Sequence, residues 1–224
     1  MFRPALPVKA FAMPASAVRF YRNTVRLLTS TDGVSIIEFA LVLPIMVTIL
    51  VGCIEFGRAL DNKRKVQFLA RTVADLTSQG DSSDVISATT MSDIISSSKL
   101  IIRPFDGTSA KIVVSALAVD LVNTSTNPRV CSSYSSSNAS KRTVGLAGDI
   151  TIPVGFNTPG MRYVFAEVSM PYVPVFGAGM IRAFTGADNA FIFKSTTPWP
   201  VRVGKSYNGN LYNEVILPSG KQCP

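Results

Sequence analysis

The chain of 224 residues contains no histidine, one tryptophan and three cysteines. Without histidine it lacks the usual general base of serine and cysteine hydrolases and the commonest metal ligand, which argues against most hydrolytic and zinc chemistry. Acids are also few: 14 Asp and Glu stand against 22 Lys and Arg, for a formal charge of +8. The candidate acids Asp106, Asp120, Asp149, Glu167 and Asp188 show no paired spacing. Gly177-x-Gly179 lacks the glycine that would complete a phosphate-binding loop, because position 182 is arginine. Turn chemistry accounts for these glycines. No catalytic constellation emerges, so the expectation is a protein that is not an enzyme and holds no metal or cofactor. The basic excess contains no run interleaved with aromatic residues, which sets nucleic acid aside as a partner.

What is present is one long apolar run, Asp32-Gly33-Val34-Ser35-Ile36-Ile37-Glu38-Phe39-Ala40-Leu41-Val42-Leu43-Pro44, continuing apolar to Cys53-Ile54. Residues 39–54 include a single mildly polar side chain, Thr48. Counted from Val34, the run forms about 30 Å of helix, enough to cross a bilayer. Glu38 is the one expensive residue in it. An ionised carboxylate costs roughly 3 kcal/mol at the bilayer centre and less near an end, where Glu38 sits if Val34 begins the span. Its position alone leaves two readings open, snorkelling to the headgroups or a functional role. Pro44 lacks the donor for the Ala40 carbonyl, so a loosened or kinked turn is expected there.

The 33 residues before the span carry Arg3, Lys9, Arg19, Arg22 and Arg26 against one acid, Asp32, which is placed to cap the helix. Cations follow the span as well: Arg58, Lys63, Arg64 and Lys65, with Asp61 among them. The positive-inside rule therefore leaves orientation open. A cytoplasmic leader is favoured because a C-terminal domain can translocate regardless of charge, and because Cys131 and Cys223, a possible disulfide pair, suit an oxidising compartment. The alternative for these two cysteines is a pair of unrelated thiols.

Beyond the span, Val66, Leu69, Ala70, Val73 and Leu76 recur at helical spacing, predicting one helix over about 34–78 whose second half is amphipathic and covers a sheet. A short helix is expected near 91–95. Strands are expected over 111–122, 149–154, 163–170, 190–194 and 199–203. Residues 123–143 read as a long polar loop that Cys131 could anchor, and residues 204–224 as a loose tail unless Cys223 ties it down. The predicted fold class is α+β: a long N-terminal helix, transmembrane and then amphipathic, packed on a small antiparallel sheet. The expected organisation is a basic leader over 1–33, a transmembrane helix over 34–56, its amphipathic continuation over 57–80 and a β-rich domain over 81–224.

Gly33 followed by Val34-Ser35-Ile36-Ile37-Glu38-Phe39 resembles the processing site of a type IV prepilin, in which a basic leader ends in glycine and glutamate is the fifth mature residue. With Ala40-Leu41, Pro44 and Glu55-Phe56-Gly57, the run is similar to the N-terminal segment of the TadE-like family, minor pseudopilins of the tight-adherence (Flp) pilus apparatus. The resemblance implies a pilin-like fold and cleavage at Gly33/Val34 by an aspartyl prepilin peptidase. It assigns assembly or recognition to Glu38, Phe39 and Pro44. The partners it implies are the membrane, the major pilin, other minor pseudopilins and an inner-membrane assembly platform. The location it implies is the bacterial inner membrane, single-pass, with a periplasmic C-terminal domain and the option of incorporation into an extracellular pilus. Two rival readings stand beside it. One is an uncleaved anchor for a periplasmic binding domain. The other is a lipoprotein acylated at Cys53, since Leu50-Val51-Gly52-Cys53 resembles a lipobox.

Overall fold

A computed structural model describes residues 32–80, 85–120, 126–176, 191–206 and 212–223, with positions 179 and 186. The chain divides into two units, Met1–Cys53 and Ile54–Pro224. One helix, α1 (Asp32–Ser78), begins in the first and ends in the second. In the first unit every described side chain from Val34 to Leu50 is exposed, although nearly all are apolar. A helix that is apolar on all sides requires an apolar solvent or cover, and its internal hydrogen bonds let it reside in hydrocarbon. The helix continues through Pro44, where Thr48 Oγ1 donates to the Pro44 carbonyl at 2.7 Å.

In the second unit α1 changes character. Val66, Leu69, Ala70, Val73 and Ala74 form a stripe at most 1% exposed, the amphipathic face that the spacing predicts. That face packs on a five-stranded antiparallel sheet of order β3-β2-β1-β4-β5. The strands are β1 (Lys111–Ala118), β2 (Arg129–Ser135), β3 (Gly145–Leu146), β4 (Arg162–Tyr172) and β5 (Phe191–Pro200). Period-2 alternation turns Ile112 and Val114 of β1 and Val164, Ala166, Val168 and Met170 of β4 toward α1. A second helix, α2 (Ala88–Ser98), adds Met91 and Ile95 to this core, its N-terminus capped by Ser87 Oγ accepting from Thr90 N at 3.0 Å. The opposite sheet face buries Leu117, Val130, Tyr163 and Phe165 under Ala147, Ile150 and Phe156 of the connection between β3 and β4.

Four local expectations change. Residues 123–143 contain a strand, β2, lying between β3 and β1. Its serines are buried because their hydroxyls are bonded. Ser133 Oγ donates to the Val114 carbonyl at 3.1 Å and lies 3.0 Å from Ser115 Oγ, while Ser132 Oγ accepts from Leu217 N at 3.1 Å. Residues 149–154 form turns instead of a strand: Ile150 N bonds the Ala147 carbonyl and Phe156 N bonds that of Pro153. The strands expected over 190–194 and 199–203 are one strand, β5, because Pro198 is tolerated at the sheet edge. The described tail residues 212–223 are packed, with Val215, Ile216 and Leu217 buried and Ile86 N bonded to the Ile216 carbonyl at 2.9 Å.

The far end of α1 is stitched to the segment that follows β5. Ser78 O accepts from Arg202 N at 2.9 Å, and Asp75 pairs with Arg202 at 3.0 Å. Gly80 turns the chain with φ +44°, and a Cβ there would lie 2.7 Å from the Val203 carbonyl and 2.9 Å from Val215 Cγ2. Replacing it is therefore both conformationally and sterically strained. Gly80→Ala is expected to destabilise the second unit by about 1–3 kcal/mol. Denaturant unfolding followed through Trp199 fluorescence measures this, and a midpoint equal to wild type would show that the turn has room.

Candidate assembly site

The residues singled out for processing and assembly all lie on α1. Gly33 and Val34 belong to its first turn, and Glu38 follows Val34 by four residues, on the same helix face and about 6 Å along the axis. Val34, Glu38, Phe39 and Pro44 are exposed, Val34 at 54% and Phe39 at 61%. Among the described residues none of the four meets a polar or charged partner from elsewhere in the chain. They form a linear surface on one helix, without a pocket. The side chain of Asp32, expected as a cap, lies outside the described side chains.

A second acid on α1 behaves differently. Glu55, just past the apolar run, is joined to the end of β4 and the segment after it. Its Oε1 accepts from Tyr172 OH at 2.6 Å and from Val175 N at 3.0 Å, and its Oε2 from Phe176 N at 3.4 Å. Burial, and then the bond to Glu55, push the Tyr172 hydroxyl up to about 12, so it remains a donor. Phe105 packs edge-on against Tyr172 at 6.3 Å and takes the cations Arg58 and Lys65 near its ring at 5.9 and 5.7 Å. Lys65 also pairs with Asp61 at 3.4 Å. Sequence reading used Glu55 only as a matching residue. Its signal was available, an acid closing an apolar run, but its partners lie more than a hundred positions away.

Two of the scattered acids are brought together. Arg142 Nη1 and Nη2 donate to Asp149 at 3.0 and 2.8 Å, and the same guanidinium donates to Glu167 at 2.8 Å. The hydrogen bond from Arg142 holds the Asp149 carboxyl below the usual carboxylate range. Both acids are thus bound to a fixed cation, and the arrangement latches the connection after β2 to the outer sheet face. A polar cleft of about 470 Å³ opens beside it, lined in part by Lys111, Arg142, Glu167 and Lys194. Its single carboxylate is the one already tied to Arg142.

Cys131 and Cys223 lie side by side as a disulfide pair, their Cα atoms 5.0 Å apart, against Ala118. Next to them Glu214 accepts from Cys223 N at 3.3 Å and pairs with the buried Arg162 at 3.4 Å. Burial raises the Glu214 carboxyl despite both of these partners. Cys53 is a free, exposed thiol on α1.

Residues 33–75 match the family model described as TadE-like protein. The N-terminal segment of this chain is therefore similar to TadE-like proteins, over 43 of its 224 residues. The matched segment contains Gly33, Glu38-Phe39-Ala40-Leu41, Pro44 and Glu55-Phe56-Gly57, and it continues through the buried stripe of α1 to Asp75. Among the described residues one helix is long and apolar enough to cross a membrane, and a TadE-like segment on it fits a pilus-associated membrane protein. No curated protein and no solved structure matches the chain.

The clamp at the end of the TadE-like apolar run can be tested directly. A hydrogen bond to a charged group contributes about 1.5–3 kcal/mol, so Glu55→Ala should speed amide exchange at Val175 and Phe176 by roughly tenfold or more. Glu55→Gln, which keeps an acceptor, should fall between. Hydrogen exchange in detergent micelles reads both, and wild-type protection in Glu55→Ala would remove the carboxylate as the clamp.

Proposed function

We propose that the chain is a minor pseudopilin-like component of tight-adherence pilus assembly, processed by a prepilin peptidase between Gly33 and Val34 and assembled through α1. The observation that supports this reading best is the uncovered, all-round apolar surface from Val34 onward, interrupted by one acid a single turn into the helix. Gly33 offers the peptidase a backbone free of a side chain. Hydrolysis of the Gly33–Val34 bond adds water, leaving a carboxylate on the leader and a new ammonium on Val34. Glu38 then pairs with the Val34 ammonium of a neighbouring subunit. In hydrocarbon that pairing compensates a charge that is otherwise costly, and it sets the axial register between helices.

The topology that accompanies this reading has a cytoplasmic leader, one span over 34–56, a continuation over 57–80 and a periplasmic β-rich domain whose Cys131–Cys223 disulfide forms after export. The partners are the membrane, the peptidase, the major pilin, other minor pseudopilins and the inner-membrane platform.

Edman sequencing of the membrane-extracted protein should begin at Val34, whereas an intact Met1 or Met13 start would support the uncleaved anchor. Glu38→Gln and Glu38→Ala should insert into the membrane normally yet lower incorporation and pilus output several-fold. Wild-type output from both variants would remove Glu38 from assembly.

A further inference from the structure

Six large apolar side chains surround the Glu55 clamp and are left in the open. Phe56, Val173, Val175, Phe176, Phe191 and Ile192 are each between 51% and 67% exposed. They come from three chain segments, and the structure holds those segments at one level. Glu55 binds the backbone N–H groups of Val175 and Phe176, Tyr172 pairs in register with Phe191, and Pro171 pairs with Ile192. An exposed apolar cluster of this kind requires an occupant.

We infer that this end of the sheet is a second membrane contact, whose apolar side chains sit at the boundary between headgroups and acyl chains of the bilayer that α1 crosses. The inference rests on the reading of α1 as a membrane span and adds to it the part of the folded domain that touches lipid. Position argues for lipid as the occupant. The clamp is built on the residue where the apolar run ends, so a membrane-resident α1 carries Val175 and Phe176 to the interface with it. Phenylalanine is among the apolar side chains that interfacial contacts bury at the headgroup–acyl boundary. Charge agrees. Arg58 is about one turn beyond Glu55, and the exposed Lys63 and Arg64 are two to three turns beyond, within reach of anionic headgroups. The contact also explains how Glu55 is tolerated at such a level, because its two oxygens already accept from three donors and need no water. The opposite end of β4 begins at Arg162, about 30 Å away along the strand.

The test uses the full chain in vesicles of phosphatidylethanolamine with a minority of phosphatidylglycerol, in a Cys53→Ser background. Nitroxides are attached through Phe176→Cys or Ile192→Cys, with Val154→Cys as the solvent reference and Ile45→Cys as the span reference; Val154 is fully exposed in the connection that covers the far end of the sheet. Collision rates with oxygen and with a water-soluble nickel chelate report depth. The inference expects the labels at 176 and 192 to favour oxygen over chelate several-fold relative to 154, and less strongly than the label at 45. Chelate access at 176 and 192 equal to that at 154, with the label at 45 in lipid, overturns the inference while the span survives. A label at 45 that is open to chelate overturns the span and the inference with it. Labels at 176 and 192 shielded from both reagents at high lipid dilution indicate a protein occupant and overturn the choice of lipid. A variant without added cysteine guards against mispairing with Cys131 or Cys223. In Phe176→Trp with Trp199→Phe, lipids brominated high in the acyl chain should quench fluorescence strongly, and absent quenching would also overturn the inference.

Discussion

One helix has to satisfy two surroundings, and this constraint shapes the rest of the molecule. Over its first half α1 exposes apolar side chains all round, while over its second half it shows one buried stripe against β1 and β4. Hydrocarbon rewards the first pattern and penalises the second, and water does the reverse. The switch therefore has to fall at a defined residue, and it falls at Glu55. There the helix gives its first strong acceptor to the sheet, and the cations that follow make uniform apolarity impossible.

Periodicity made the parts built on hydrophobic burial legible. The stripe from Val66 to Val73 and the alternation of Val164, Ala166, Val168 and Met170 both follow from which face is buried, so α1 and β4 were readable. The buried β2 was not, because its composition is that of a loop. Ser132 and Ser133 gain their place through hydroxyl bonds to Leu217 N and the Val114 carbonyl, and those partners are tens of residues away. Residues 149–154 failed in the opposite sense: they alternate in sequence and Ile150 is buried, but Val154 is fully exposed and the neighbouring amides close turns. Burial alone does not specify a strand.

The polar contacts followed the same division. Arg142 reaches Asp149 seven residues on and Glu167 twenty-five residues on, spacings that no local pattern encodes. The tail is similar: Glu214, Leu217 and Cys223 each find their partners across the fold, in Arg162, Ser132 and Cys131. Gly33, Glu38 and Pro44 stand out in the sequence because they belong to a short linear pattern, and they lie on one helix. Glu55 was legible as a motif residue only, since its chemistry depends on Tyr172.

The two acids of α1 sharpen each other's roles. Glu38 and Glu55 stand seventeen positions apart, one near each end of the apolar run. A carboxylate near hydrocarbon is tolerated when its oxygens are bonded or its charge is paired. Glu55 meets that condition within its own chain through a hydroxyl and two backbone amides. Glu38 does not meet it among the described residues, and every neighbour on its face of the helix is exposed. Four residues before it lies the one backbone nitrogen that chain cleavage would turn into a cation. On the proposed reading, the folded domain satisfies one acid of the helix and a neighbouring subunit the other, which gives the helix a direction.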